Sequence, residues 1–186
     1  GGLSNTISGD YSAIGGGYSN SVSSDSSCIG GGLTNTIGVN SDGSVIAGGE
    51  LNSILGIDNP LYGANNSFIG GGYYICVDSY GSAVIGGAFN YVYGGGSVIN
   101  GGFSNIICGT FNSIIGGQLN IIHSGNTNSV ILGGSGMTIS ASTLLNHAIV
   151  PNLAIWETPV SGDTTDLALV WDNVDKKVKA VTQITG

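Results

Sequence analysis

Ser12-Ala13-Ile14-Gly15-Gly16-Gly17-Tyr18-Ser19-Asn20-Ser21-Val22 is the stretch on which the reading turns. It recurs along most of the chain. A Gly-Gly pair begins at Gly1, Gly16, Gly31, Gly48, Gly71, Gly86, Gly101, Gly116 and Gly133, in steps of 15, 15, 17, 23, 15, 15, 15 and 17 residues. The unit is 15 residues, and the longer steps are insertions near Val39 to Gly43, Gly56 to Asn65 and His123 to Asn128. A fixed period of this length marks a repeat architecture before any local propensity is weighed.

Aligned on the pair, the columns are sharp. Six residues after the first Gly stand Ile7, Val22, Ile37, Ile54, Val77, Val92, Ile107, Ile122 and Ile139, all β-branched. Two residues earlier stand Asn5, Asn20, Asn35, Asn52, Asn90, Asn105 and Asn120, with Ile75 and Met137 as the exceptions. Two residues ahead of each following pair stand Ile14, Ile29, Ile46, Ile69, Val84, Ile99, Ile114 and Ile131, and two further back Ser12, Ser27, Ser44, Ser67, Ser82, Ser97, Asn112 and Ser129. Spacing by two is the strand period, and β-branched residues suit strands. Each unit therefore predicts two short strands with Ser, Ile, Asn and Ile turned inward, and a bend at Gly-Gly where a Cβ would obstruct. A coil this short cannot bury its own inner face, so coils must stack at strand spacing. The expectation is an all-β parallel β-roll or β-helix solenoid of about nine coils over residues 1–142, with insertions leaving at turns. Stacking turns each polar column into a ladder whose members can hydrogen-bond to one another or to turn backbone.

Composition narrows the function classes. The chain of 186 residues has 35 Gly, three cations and eleven acids, for a net charge of -8. The cations are Lys176, Lys177 and Lys179, all near the C-terminus. Nucleic-acid binding needs Lys and Arg against phosphate, so it is not expected. No apolar run reaches the length of a membrane-spanning helix, so membrane insertion is not expected either. Three Cys give no disulfide framework.

Two inward branched aliphatics per coil make a thin core against the entropy of ordering 15 residues. Outward neighbours are apolar as well: Ala13, Cys28, Val45, Phe68, Ala83, Val98 and Val130 before the Ile column, and Ile85, Ile115 and Leu132 after it. A second apolar face implies a partner, and a symmetric homo-oligomer is the simplest source.

Coils such as Ser-Ala-Ile-Gly-Gly-Gly (Ser12 to Gly17) and Ser-Phe-Ile-Gly-Gly-Gly (Ser67 to Gly72) resemble the head repeats of trimeric autotransporter adhesins and related coils of phage tail fibres. The resemblance covers about residues 1–140, and the Gly-Gly-x-x-Asn-x-Ile half departs from the adhesin pattern. It implies a left-handed β-roll, a homotrimer, and a place on a virion tail fibre or a cell surface. Residues 143–186 resemble the short β-rich segment that follows repeats in phage tail proteins. Neither the membrane-anchor signal nor the coiled-coil stalk of autotransporters is found in this sequence, which favours the phage-fibre side of the resemblance. The start on Gly1-Gly2, within a coil, suggests a piece of a longer fibre.

In residues 143–186, Leu167, Leu169 and Trp171 alternate before a turn at Asp172 to Lys176, and Val178 and Ala180 alternate after it. That pattern predicts a hairpin with one buried face, and Trp156 and Trp171 read as its small core. The three Lys beside Asp172 and Asp175 suit a solvated edge.

Candidate chemistry is sparse. Asp10, Asp25 and Asp42 share a turn column, with Asp58 nearby, and stacked carboxylates could attract a divalent ion. Solvated turn acids are the simpler reading, so no metal or other cofactor is assigned. His123 and His147 have no ligand-spaced partner, and Cys28, Cys76 and Cys108 read as packing residues. No catalytic residue is assigned. Recognition is placed where the period breaks: Pro60, Leu61 and Tyr62 in the long insertion, then Tyr73, Tyr74 and Tyr80, and one coil later Phe89, Tyr91 and Tyr93. Exposed aromatics beside a projecting loop suit a host surface glycan or a protein receptor, although they could equally seal an oligomer seam. The expected function is a structural and adhesive fibre segment presenting a receptor-binding surface. A purely structural shaft and a glycan-degrading tailspike are the alternatives.

Overall fold

A computed structural model describes residues 1–56, 63–140, 146–151, 168–172 and 177–181. Among them every regular element is a strand. Two sheets of nine parallel strands form the solenoid. The first holds the odd-numbered strands from β1 (Thr6–Ile7) to β17 (Thr138–Ile139), and the second the even-numbered strands from β2 (Ala13–Ile14) to β18 (Ala148–Ile149). Each strand has two residues, because three corners and two sheets must share 15 positions. The solenoid unit runs Gly1–Pro151.

Register follows the sequence columns. Ile7 pairs Val22, and Val22 pairs Ile37. The insertions leave at corners, so Cys28 still meets Val45, and Val45 still meets Phe68. A slip by one residue would turn the inward set outward. The structure adds one side that the two-strand reading lacks. The residue after each Gly-Gly bridges its counterpart in the next coil, from Leu3↔Tyr18 through Leu33↔Glu50↔Tyr73 to Gln118↔Ser135.

The corners are made by left-handed residues. The second Gly of the pair is one, as at Gly32 (φ 100°). The residue before the Asn column is another, and the residue before the Ser column a third, as at Ser19 (φ 53°) and Ser26 (φ 55°). Leu51, Tyr74, Phe89 and Leu119 occupy the second kind of corner with φ between 53° and 56°. For a residue with a large Cβ substituent this backbone costs about 1–2 kcal/mol.

The core is built from two columns of Ile and Val, one from each sheet. Ile29, Ile37, Ile46, Ile54 and Ile69 are fully buried, as are Val22, Val84 and Val92. Ile14, in the first coil, packs against this core while half-buried. The Asn ladder is fully buried from Asn20 to Asn120, and Asn5 at its start is half-buried. Asn35 shows its logic: Nδ2 donates to the carbonyls of Gly31 (3.0 Å) and Gly49 (2.8 Å), and Oδ1 accepts from the N–H of Asn52 (3.1 Å). Nδ2 also donates to Asn20 Oδ1 (3.2 Å) in the preceding coil, so one side chain closes its own Gly-Gly corner and ties it to both neighbours. Asn does this because a single amide offers two donors and an acceptor. Ile75 interrupts the ladder, yet its N–H still reaches Asn52 Oδ1 at 3.1 Å.

The second unit spans Asn152–Gly186. Within it β19 (Ala168–Asp172) and β20 (Lys177–Val181) pair antiparallel, with Trp171 opposite Val178 and Asp172 opposite Lys177. The expected turn residues 173–176 and Trp156 lie outside the described residues.

Candidate recognition surface

Outward columns of the first sheet change character midway. Thr6, Ser8, Ser21, Ser23, Thr36 and Ser53 line the early coils, and Cys76, Asp78, Tyr91, Tyr93, Ile106 and Cys108 the later ones. Tyr91 and Tyr93 are two apart on one strand edge and so share a side. Their rings are parallel (4°) with centroids 6.4 Å apart. Tyr91 lies in register between Cys76 and Ile106.

Partial burial raises the Tyr93 hydroxyl above the usual value of 10.0, with Cys76, Tyr91, Cys108 and Asp78 adding to the effect. Burial likewise raises Tyr91, helped by Tyr74 and Cys76. Cys108 is raised by burial, which keeps it a thiol and a poor nucleophile. The neutral form of both tyrosines is therefore favoured by folding. Their contribution to stability is full below pH 10.0 and is lost as pH rises through the folded-state values. In an absorbance titration a late-ionising component is expected above the main tyrosine wave. Tyr93→Phe should diminish it, and a single unsplit wave would contradict the burial of this pair.

A second aromatic group lies at the corner after Gly-Gly. Tyr73, Tyr74 and Phe89 have ring centroids 5.4 to 6.2 Å apart, and Phe89 meets Phe103 edge-on at 5.5 Å. Phe103 was not among the expected residues. Its signal was its column, since it follows Gly-Gly as Tyr18 and Tyr73 do. Tyr80 lies at the corner that carries Asp10, Asp25 and Asp42, and is half exposed. Pro60, Leu61 and Tyr62 lie outside the described residues, as does Asp58.

The acid column has a structural use. Asp25 Oδ1 accepts from the N–H of Asp10 (2.8 Å), Asp42 Oδ1 from that of Asp25 (3.0 Å), and Asn65 Oδ1 from that of Asp42 (2.7 Å). Each side chain closes the turn of the coil before it. No group of three His, Cys, Asp or Glu among the described residues is placed to hold a metal ion. His123 is on the outer side of the first sheet, whereas the His147 N–H donates to Ser129 Oγ at 3.1 Å. No described helix is long and apolar enough to cross a membrane.

The outer side of the second sheet is uncharged and mostly apolar, with Asn100 exposed in the flanking column between Ile85 and Ile115. Ala13, Cys28, Val45, Phe68, Ala83, Val98 and Val130 lie in continuous register, interrupted by Ser113 and followed by Ala148. Ile85, Ile115 and Leu132 stand beside it, each about half exposed at 50%, 46% and 48%.

No protein-family model matches the chain, and no curated protein matches it.

Proposed function

We propose that the chain is a segment of a homotrimeric fibre, a phage tail fibre or a surface adhesin, that carries a receptor-binding surface. One observation carries this reading: the outer stripe of the second sheet from Ala13 to Ala148, apolar at every position but Ser113 and free of charge, is only partly covered by its own chain. Monomeric soluble proteins rarely leave so long an apolar surface in water. The number three and the extracellular or virion setting come from the resemblance of the coils to trimeric fibre repeats. The C-terminal segment reads as a hairpin, in keeping with the segment that follows such repeats.

The receptor surface is assigned to the first sheet at Tyr91 and Tyr93. The Tyr91–Tyr93 ring pair offers flat area at low entropy cost. With every cation in residues 176–179, the solenoid suits a neutral glycan or a protein surface better than an anionic one. The assembled protein should therefore bind a subset of purified host-surface polysaccharides or proteins and leave them intact. Shortened glycan products would point to the tailspike, and absence of binding across the panel to a purely structural shaft. Either result would overturn the adhesive reading.

A further inference from the structure

A second apolar line runs along the corner after Gly-Gly, and its composition is compensated between two adjacent positions. In some coils the first position is large and the second small: Tyr18–Ser19, Leu33–Thr34 and Phe103–Ser104. In others the first is small or polar and the second is large: Glu50–Leu51, Ala88–Phe89 and Gln118–Leu119. Tyr73 and Tyr74 fill both positions. From Leu3 to Leu119 every coil thus carries a large apolar side chain on this ridge.

The second position is left-handed, with φ of 56° at Leu51, 55° at Phe89 and 56° at Leu119. Gly or Asn would adopt that backbone more readily than a bulky residue. Leu119 is also 54% exposed, so its own chain gains little by placing it there. At Leu119 the strain is therefore not repaid by packing within its own chain, which points outside the single chain.

We propose that this ridge packs, coil against the equivalent coil, on the apolar stripe of the second sheet of a neighbouring copy. This rests on the homotrimer reading and specifies its interface. The period is the first argument. The bridges Leu33↔Glu50↔Tyr73 hold the ridge in step past both early insertions, and a second copy of the same solenoid repeats at the same interval by construction. Size is the second. At equal height Tyr18 would meet Cys28, Tyr73 and Tyr74 would meet Ala83, and Phe103 would meet Ser113. Where the stripe has its one aromatic, Phe68, the ridge has Leu51. Charge is the third: Glu50 is the one ionisable acid or base at the ridge positions, and the stripe has none.

Two different apolar surfaces on one chain make a heterologous interface, which excludes a twofold pair and closes into a ring of three when each copy is rotated by a third of a turn. Tyr73, Tyr74 and Phe89 are then seam residues, and the receptor surface is left to the first sheet.

Two sets of variants test this. In Leu51→Asn, Phe89→Asn and Leu119→Asn combined, Asn accepts the left-handed corner, so the coils should keep their β circular-dichroism signal while the mass in solution falls to one chain. Separately, Phe103→Cys and Ser113→Cys are combined in a background of Cys28→Ala, Cys76→Ala and Cys108→Ala. Under oxidation this pair should give covalent dimers and trimers on a non-reducing gel, and either single Cys variant should give neither. A trimer that the Asn variants leave intact, or that the Cys pair fails to link, overturns the ridge and leaves the homotrimer standing. Linking by Phe103→Cys alone would mean that ridge meets ridge, and overturns the heterologous contact. A monomeric parent protein overturns both readings.

Discussion

Replacing Ile37 by Asp is expected to melt the solenoid locally and lower its thermal transition by about 10–20 °C. Ile37 is fully buried in the first sheet, in register between Val22 and Ile54. The substitution removes a buried aliphatic and sets a carboxyl among Ile and Val, two losses that together reach about 5 kcal/mol. Rescue by neighbours is not available, because the nearby Asn35 amide already donates to Gly31 and Gly49 and the solenoid has no Lys or Arg. Within one chain each coil stacks only on the coils on either side, so the damage should spread in both directions. An unchanged transition for Ile37→Asp would contradict the inward column.

The two glycines of one pair are expected to respond in opposite ways. Gly32 has φ 100°, and a Cβ there would fall on the carbonyl oxygen of Gly49 and within 2.7 Å of Asn35 Nδ2. The first obstacle is backbone and the second a ladder amide, so neither can move without parting two coils. Gly32→Ala should cost about 3 kcal/mol, from the left-handed backbone and the overlap together. A Cβ on Gly31 would come no nearer than 3.8 Å to Gly16 O, which is ordinary contact, so Gly31→Ala should be close to neutral. Denaturant midpoints of the two variants test the corner directly. Equal effects would contradict the assignment of the bend to the second glycine.

Much of this geometry is legible in the residues. The columns through Ile37, Ile46 and Asn35 could be aligned because stacking forces the same environment on the same position in every coil. The exits of the insertions followed from the cost of a register slip, and Cys28, Val45 and Phe68 pair as that argument requires. The third side of the coil was not legible. A bridge formed by one residue, such as Tyr18 or Glu50, leaves no alternation to detect. The bulky left-handed corners at Leu51, Phe89 and Leu119 were hidden for a related reason, since propensity argues against those residues there. Among the aromatics, Tyr73, Tyr74 and Phe89 do come together, with Phe103 added. Tyr91 and Tyr93 form a separate pair on the first sheet, and Tyr80 lies at another corner. Closeness in sequence cannot separate those three places, because one coil passes through every side of the solenoid. The turn acids show the same limit: their alignment was visible, but their use as acceptors for the backbone of the preceding coil depends on corner geometry.

Assembly into a trimer is the central claim, and light scattering of the purified chain measures it most directly. Three chain masses in one stable particle are the predicted result. A particle of one chain mass, with the coils folded and the stripe from Ala13 to Ala148 left in water, would contradict it.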